Sequence, residues 1–294
     1  MTALQTVLPP MVVGLFDDAA IFPPGNLPLD RAVPAHLRHR TGAHRELVGP
    51  FVVAAAQLAD LGVLLTGRPQ ASFDVAVTVP SPHQVSAALA AVDAIAAARL
   101  VALEVAVTEE IPADAVAPAL AVVLGARTDV DVFVELPRDA RRTRLVEELS
   151  HTPYLAKLRT GGVRADLYPD AVELGSAIVT CVRAGLPFKA TAGLHHALRN
   201  TDGETGFEQH GFLNVINAVD AAVRGADHEY VVELLAERDP VVVSQRAFAA
   251  RDRMPVVRSW FRSFGTCSIH EPLEELVALG LVDLPTEPSE GDPS

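Results

Sequence analysis

Lys157, in Y-L-A-K-L-R-T-G-G, and Lys189, in L-P-F-K-A-T-A-G-L-H-H, each sit inside a short apolar run that reads as a strand and ends in small residues. An ammonium group taken out of water must be paired or give up its proton, so lysine is depleted in buried strands. A lysine among apolar neighbours, or beside a second cation, becomes a neutral amine able to attack a carbonyl carbon. Two lysines on neighbouring strands would supply that second cation to each other. The plainer reading is a pair of structural ion pairs with Glu104 and Glu135 inside the fold. Helical periodicity from Ala171 to Ala184 separates the lysines, which makes the segment a strand–helix–strand unit with both ammonium groups on parallel strands.

The rest of the chain must position these groups. Eight β-rich runs recur with helical segments between them: Met11–Phe16, Gly49–Ala55, Phe73–Val79, Leu100–Val107, Val130–Leu136, Tyr154–Arg159, Phe188–Thr191 and Val257–Thr266. Eight strands alternating with helices over about 250 residues are what a closed (β/α)8 TIM barrel needs. A doubly wound open sheet uses the same alternation, but no G-x-G-x-x-G follows the first strand. The stretch from Thr201 to Pro255 exceeds one barrel unit and reads as a seventh helix plus an inserted helical pair, Glu229–Glu237 and Pro240–Ala250, before the last strand. No linker divides the chain, so residues 1–284 are expected to form one barrel domain and residues 285–294 a disordered acidic tail.

In a barrel, residues at the C-terminal ends of the strands converge on one mouth. Those ends carry Asp17 and Asp18, Thr78, Glu104, Glu135, Lys157 with Arg159, Lys189 with His195 and His196, and the run from Arg262 to Ser268. Arg159 lies two positions from Lys157, on the same face of its strand, where it could hold a substrate carboxylate or phosphate. The loop Gly265-Thr266-Cys267-Ser268 precedes a helix, and its amides and hydroxyls suit an anion. An ordinary strand-to-helix turn is the other reading, with Glu271 as a first-turn acid.

The two-lysine unit resembles deoxyribose-phosphate aldolase, a (β/α)8 family that works through a Schiff base. Lys157-Leu-Arg-Thr-Gly-Gly is similar to the K-T-S-T-G context of that family's imine-forming lysine. Lys189-Ala-Thr-Ala-Gly-Leu is similar to the K-A-A-G-G-I of its second lysine. F-V-E-L-P around Glu135, V-T-V-P-S-P-H and the Gly265–Ser268 loop resemble its fifth, third and eighth strands. The resemblance runs from Phe73 to Ser268 and implies an aldolase-like lyase acting on a small anionic carbonyl metabolite. Lys157 would form the imine, Lys189 would lower its pKa, and Glu104 or Glu135 would shuttle protons. Arg159 and the loop of Gly265, Thr266 and Ser268 would hold the anionic group; Gly193, His195 and His196, and outside the resemblance Asp17 and Asp18, are further candidate substrate-site residues. The chain departs from the pattern at Arg159, which replaces a small hydroxyl residue, at Ala192, which replaces a glycine, and at the adjacent His195-His196.

Two other readings stand beside this one. The aspartates of F-D-D-A-A-I-F-P-P-G-N, with His195, His196 and His210, could hold a divalent metal on the same barrel. Alternatively the aspartates cap a turn, and the barrel binds a small anion without catalysis. The aldolase reading requires no cofactor.

The 37 acidic against 24 basic residues give a net charge of −13, which argues against nucleic-acid and anionic-membrane partners and leaves a small-molecule anion as the expected one. A homo-oligomer is compatible with this composition. The two cysteines, Cys181 and Cys267, are too few for a disulfide framework or zinc ribbon and point to a reducing cytoplasm, with Cys267 read as a packed thiol. The N-terminus has no basic segment followed by an apolar run, so no signal peptide is expected, and no apolar stretch reaches the roughly 18 residues of a membrane span.

Overall fold

The computed structural model describes residues 11–125 and 127–282. The expected acidic tail at 285–294 lies outside them. Eight parallel strands close into a barrel: β1 (Phe16–Asp18), β2 (Val48–Ala54), β3 (Phe73–Val79), β4 (Ala98–Val105), β5 (Asp131–Glu135), β6 (Leu155–Arg159), β7 (Phe188–Thr191) and β10 (Phe261–Thr266). Chain order is spatial order around the ring, and β10 closes it by pairing with both β7 and β1. The fold is therefore the (β/α)8 TIM barrel. A two-residue hairpin outside the ring, β8 (Asn200–Thr201) with β9 (Glu208–Gln209), was not expected from the sequence.

The outer layer consists of α1 (Leu29–Thr41), α2 (Leu58–Leu64), α3 (Val85–Asp93), α4 (Ala113–Leu124), α5 (Arg141–Ser150), α6 (Ala171–Arg183) and α7 (Phe212–Val223). It continues with α8 (His228–Ala236), α9 (Pro240–Ala249), α10 (Met254–Trp260) and α11 (His270–Ala278). The expected helical insertion before the last strand is present as α8 to α10. Three helices begin on aspartate caps whose side chains accept backbone amides: Asp170 from Glu173 at 2.7 Å, Asp227 from Tyr230 at 2.8 Å and Asp239 from Val241 at 2.8 Å. Such caps satisfy amides that have no intrahelical partner.

Strand residues alternate between two cores. Outward-facing side chains such as Val75, Val77, Leu103, Val134 and Leu158 pack under the helices in one large cluster. Inward-facing Val52, Ala76, Ala102, Phe133 and Leu155 fill the barrel axis. Above this small apolar plug the same inward rows turn polar, giving Glu104 on β4, Glu135 on β5, Lys157 and Arg159 on β6, and Lys189 on β7.

Two expected strand boundaries are corrected. The first strand is Phe16–Asp18, not Met11–Phe16, so the aspartates lie within it rather than beyond its end. Residues 11–14 form a turn that closes at Gly14, whose φ is +57° and whose amide binds Glu46 O at 2.7 Å. The last strand starts at Phe261 rather than Val257, because Pro255 opens a helical turn that runs to Trp260.

Candidate active site

Lys157 and Lys189 are register partners on β6 and β7, and Glu135 is the register partner of Lys157 on β5. Their inward side chains join a chain of alternating charge. Ser263 donates to Asp17 Oδ2 at 2.7 Å, and Lys189 Nζ donates to the same oxygen. Lys189 also reaches Glu104 Oε1 at 2.5 Å, while Lys157 lies 3.2 Å from Glu104 Oε2 and 3.0 Å from Glu135 Oε2. Arg159 Nε completes the series, 2.8 Å from Glu135 Oε1. Three carboxylates thus alternate with three cations, and every ion has an opposite partner. That arrangement is required where charge is withdrawn from water.

The environment sets each group's proton affinity. Burial alone would raise the carboxyls of Glu104 and Glu135. The lysines hold Glu104 at about 2, and Lys157 with Arg159 holds Glu135 at about 2. Burial would lower Lys189, but Asp17 and Glu104 carry it above the ordinary lysine value. Asp17 is raised from its usual value by burial, against the pull of Lys189. The expectation is that Lys189 lowers the pKa of Lys157, and the structure sets two carboxylates, Asp17 and Glu104, against the Lys189 charge.

A cavity of about 920 Å³ opens over this chain at the C-terminal ends of the strands. Glu104, Glu135, Lys157, Arg159, Thr191, His195, Gly265 and Cys267 line it; Lys189, 1 % exposed, does not. Lys189 is sealed below, with its Nζ 5.3 Å from the centre of the Phe133 ring.

Other expected site residues go elsewhere. Asp17 serves Lys189, and Asp18 points outward to His36 Nδ1 at 3.0 Å. His36 is a buried residue of α1 wedged against Phe51 and Phe73 that sequence reasoning missed. His196 pairs with Glu275 on α11 at 2.6 Å, which raises its pKa, and it faces a second hollow. Thr266 Oγ1 donates to Ser268 O at 2.8 Å, and neither residue lines the cavity, so the loop is a strand-to-helix turn.

Gly193 also serves the backbone. Its φ is +71°, and a Cβ there would meet Thr160 O at 2.7 Å, while one on Gly161 would meet Gly193 Cα at 2.7 Å. The glycines of both lysine motifs let the loops after β6 and β7 touch.

The metal alternative loses its ligand set. Asp17, Asp18, His195, His196 and His210 are engaged separately, His210 Nε2 with Pro169 O at 2.9 Å. Among the described residues no group of three or more His, Cys, Asp or Glu side chains could hold a metal ion.

The structure supplies a partner for Cys267, which the sequence left without one: His195 Nδ1 lies 3.3 Å from its sulfur. Burial lowers His195 to about 4 and raises Cys267 to about 11, so near neutrality the pair is a thiol and a neutral imidazole. The 72-residue separation hides this contact from motif reading.

A signal for the site lay in composition. Of the chain's 24 basic residues, 22 are arginine, and the two lysines are Lys157 and Lys189. Among the described residues no helix is long and apolar enough to cross a membrane.

No protein-family model and no curated protein matches the chain, so the aldolase resemblance rests on its short motifs. Among solved structures the chain is similar to active domain 2 of a thermostable chitinase from Pyrococcus furiosus, with 12% identity, 76% of this chain and 82% of that chain covered, and a TM-score of 0.40. Dihydrodipicolinate synthase from Oceanobacillus iheyensis shares 13% identity over 95% of this chain and 91% of that chain, with a TM-score of 0.39. The same-named enzyme from Bacillus clausii shares 11% identity over 82% and 83%, with a TM-score of 0.38. At such scores none of these likenesses bears on what the cavity binds.

Proposed function

We propose that this barrel is an aldolase-like lyase in which Lys157 condenses with a carbonyl substrate. The observation that carries the reading is the use of lysine. The chain places arginine at every other basic position and keeps lysine for two register partners at the base of one cavity. A guanidinium stays protonated and forms no imine, whereas an amine can give up a proton and attack. Of the two lysines, Lys157 faces the cavity.

In the reaction, Glu135 or Glu104, 3.0 and 3.2 Å from the Lys157 ammonium, takes its proton. Both carboxyls are held at about 2, so at rest the proton stays on the ammonium, and the transfer is drawn forward by the addition that follows. The freed nitrogen adds to the substrate carbonyl carbon. The carbonyl oxygen takes up the proton held by the glutamate and a second from the attacking nitrogen and leaves as water, as the nitrogen–carbon double bond forms. The resulting iminium draws electrons from the neighbouring carbon–carbon bond, which is the bond an aldolase breaks or makes. Lys189 and Asp17 are positioning residues that fix Glu104 from below.

A second reading is favoured by the same contacts. With two carboxylates on Lys157 the site can rest as a settled ion network, as in a barrel that binds a small molecule without turnover. Borohydride reduction in the presence of a carbonyl panel, followed by peptide mass mapping, separates the two. A reduced adduct on Lys157 that is lost in Lys157→Met supports the lyase, and the absence of adduct with every carbonyl supports the binder.

A further inference from the structure

Cavity lining and charge balance together narrow the substrate. We infer that the cavity takes a carbonyl compound with an apolar alkyl or aryl body and at most one negative charge, rather than a sugar phosphate. This rests on the imine reading and specifies what reaches Lys157.

Charge balance is the first support. Of the 27 residues lining the cavity, four carry formal charge: Glu104, Glu135, Lys157 and Arg159. They are two of each sign and already in contact, so a phosphate dianion entering here would find no surplus cation. Of the hydroxyls suited to a phosphate, that of Thr266 is spent on the Ser268 backbone, and that of Ser268 accepts the Glu271 amide at 3.2 Å.

The walls are the second support. Nine lining residues are alanine, and six of them lie where β2 ends or along α3. Short side chains at these positions leave room beside the charged floor, and Phe22, Val79 and Leu167 add larger apolar surface. Val163, 69 % exposed, stands at the rim as an uncovered apolar side chain that an apolar ligand would shield. The volume of about 920 Å³ is near the top of the roughly 300–1,000 Å³ usual for drug-sized ligands. A floor that can be neutral overall and walls that exclude water suit a molecule with one reactive polar end and a sizeable apolar remainder.

The test uses the native protein with methyl ketones of increasing chain length and the matching secondary alcohols, which cannot form an imine. Calorimetry on the alcohols should show each added methylene tightening binding about threefold to fourfold, with glyceraldehyde 3-phosphate binding more weakly than the longer members. Ala87→Phe, at an exposed wall position, should blunt the gain for the longest chains. Borohydride trapping of the ketones reads the imine separately. Chain-length dependence without trapping supports the substrate class and overturns the imine. Trapping with flat alcohol affinities, or tighter binding of the phosphate, overturns the substrate class and leaves the imine standing.

Discussion

Lys157 and Lys189 are register partners pointing into one barrel, yet they occupy opposite situations. Lys189 is sealed beneath the floor, and among the described residues Asp17, one of its two carboxylates, has only Ser263 as a further hydrogen-bond donor. Lys157 borders the cavity, and each of its carboxylates has another cation: Glu104 keeps Lys189, and Glu135 keeps Arg159. The same residue type, one strand apart, is indispensable to the ion network in one case and removable from it in the other. A group whose loss the network can absorb is a group free to do chemistry.

Removing each lysine should break the symmetry most visibly. Lys189→Met leaves Asp17 buried without a cation and should cost about 3–5 kcal/mol in urea denaturation, the usual effect of stripping one partner from a buried pair. Lys157→Met should cost less, about 1–3 kcal/mol. Equal losses would erase the distinction between them.

Acid should dissolve the network next. Glu104 and Glu135 are held at about 2 against an ordinary value of 4.5. The stabilisation from these depressed carboxyls is complete above pH 4.5 and is lost as pH falls through about 2. Unfolding free energy followed from pH 6 downward should therefore drop across that window, and Glu104→Gln should flatten the drop.

A gentler change sharpens the comparison from below. A Cβ on Gly49 would sit 2.2 Å from Asp17 Oδ1. Gly49→Ala should push Asp17 off Lys189 and cost about 1–3 kcal/mol, while leaving ligand binding at the cavity mouth intact by calorimetry. The smallest effect is kinetic. Cys267, raised to about 11 by burial, should alkylate in the folded protein with a rate that climbs towards that pH, and a cavity ligand should slow it. Cys181, buried in the core and raised to about 12, should react only on unfolding.

Strand–helix alternation made the barrel legible, because inward and outward rows must each find a core. Lys157, Lys189, Glu104 and Glu135 were legible for the same reason: charges inside apolar runs are costly enough to stand out. The facing of Asp17 and Asp18 was not legible, since adjacent strand residues point oppositely and the register depends on where Gly14 ends the turn before β1. Nor was the Cys267–His195 contact, which barrel closure makes between distant segments. Gly193 reads in sequence as a candidate anion-binding residue, and only the meeting of two backbones explains it.

The difference between the two lysines is tested most directly by reductive methylation of the folded protein with formaldehyde and cyanoborohydride, read by mass mapping. Formaldehyde forms its own imine on any amine it reaches, and the chain offers two lysine side chains. Methylation of Lys157 should run at least about tenfold ahead of Lys189, a rate difference worth about 1.4 kcal/mol, and Lys189 should become reactive only after denaturation. Equal rates, or Lys189 reacting first, would contradict the assignment of Lys157 as the reactive amine.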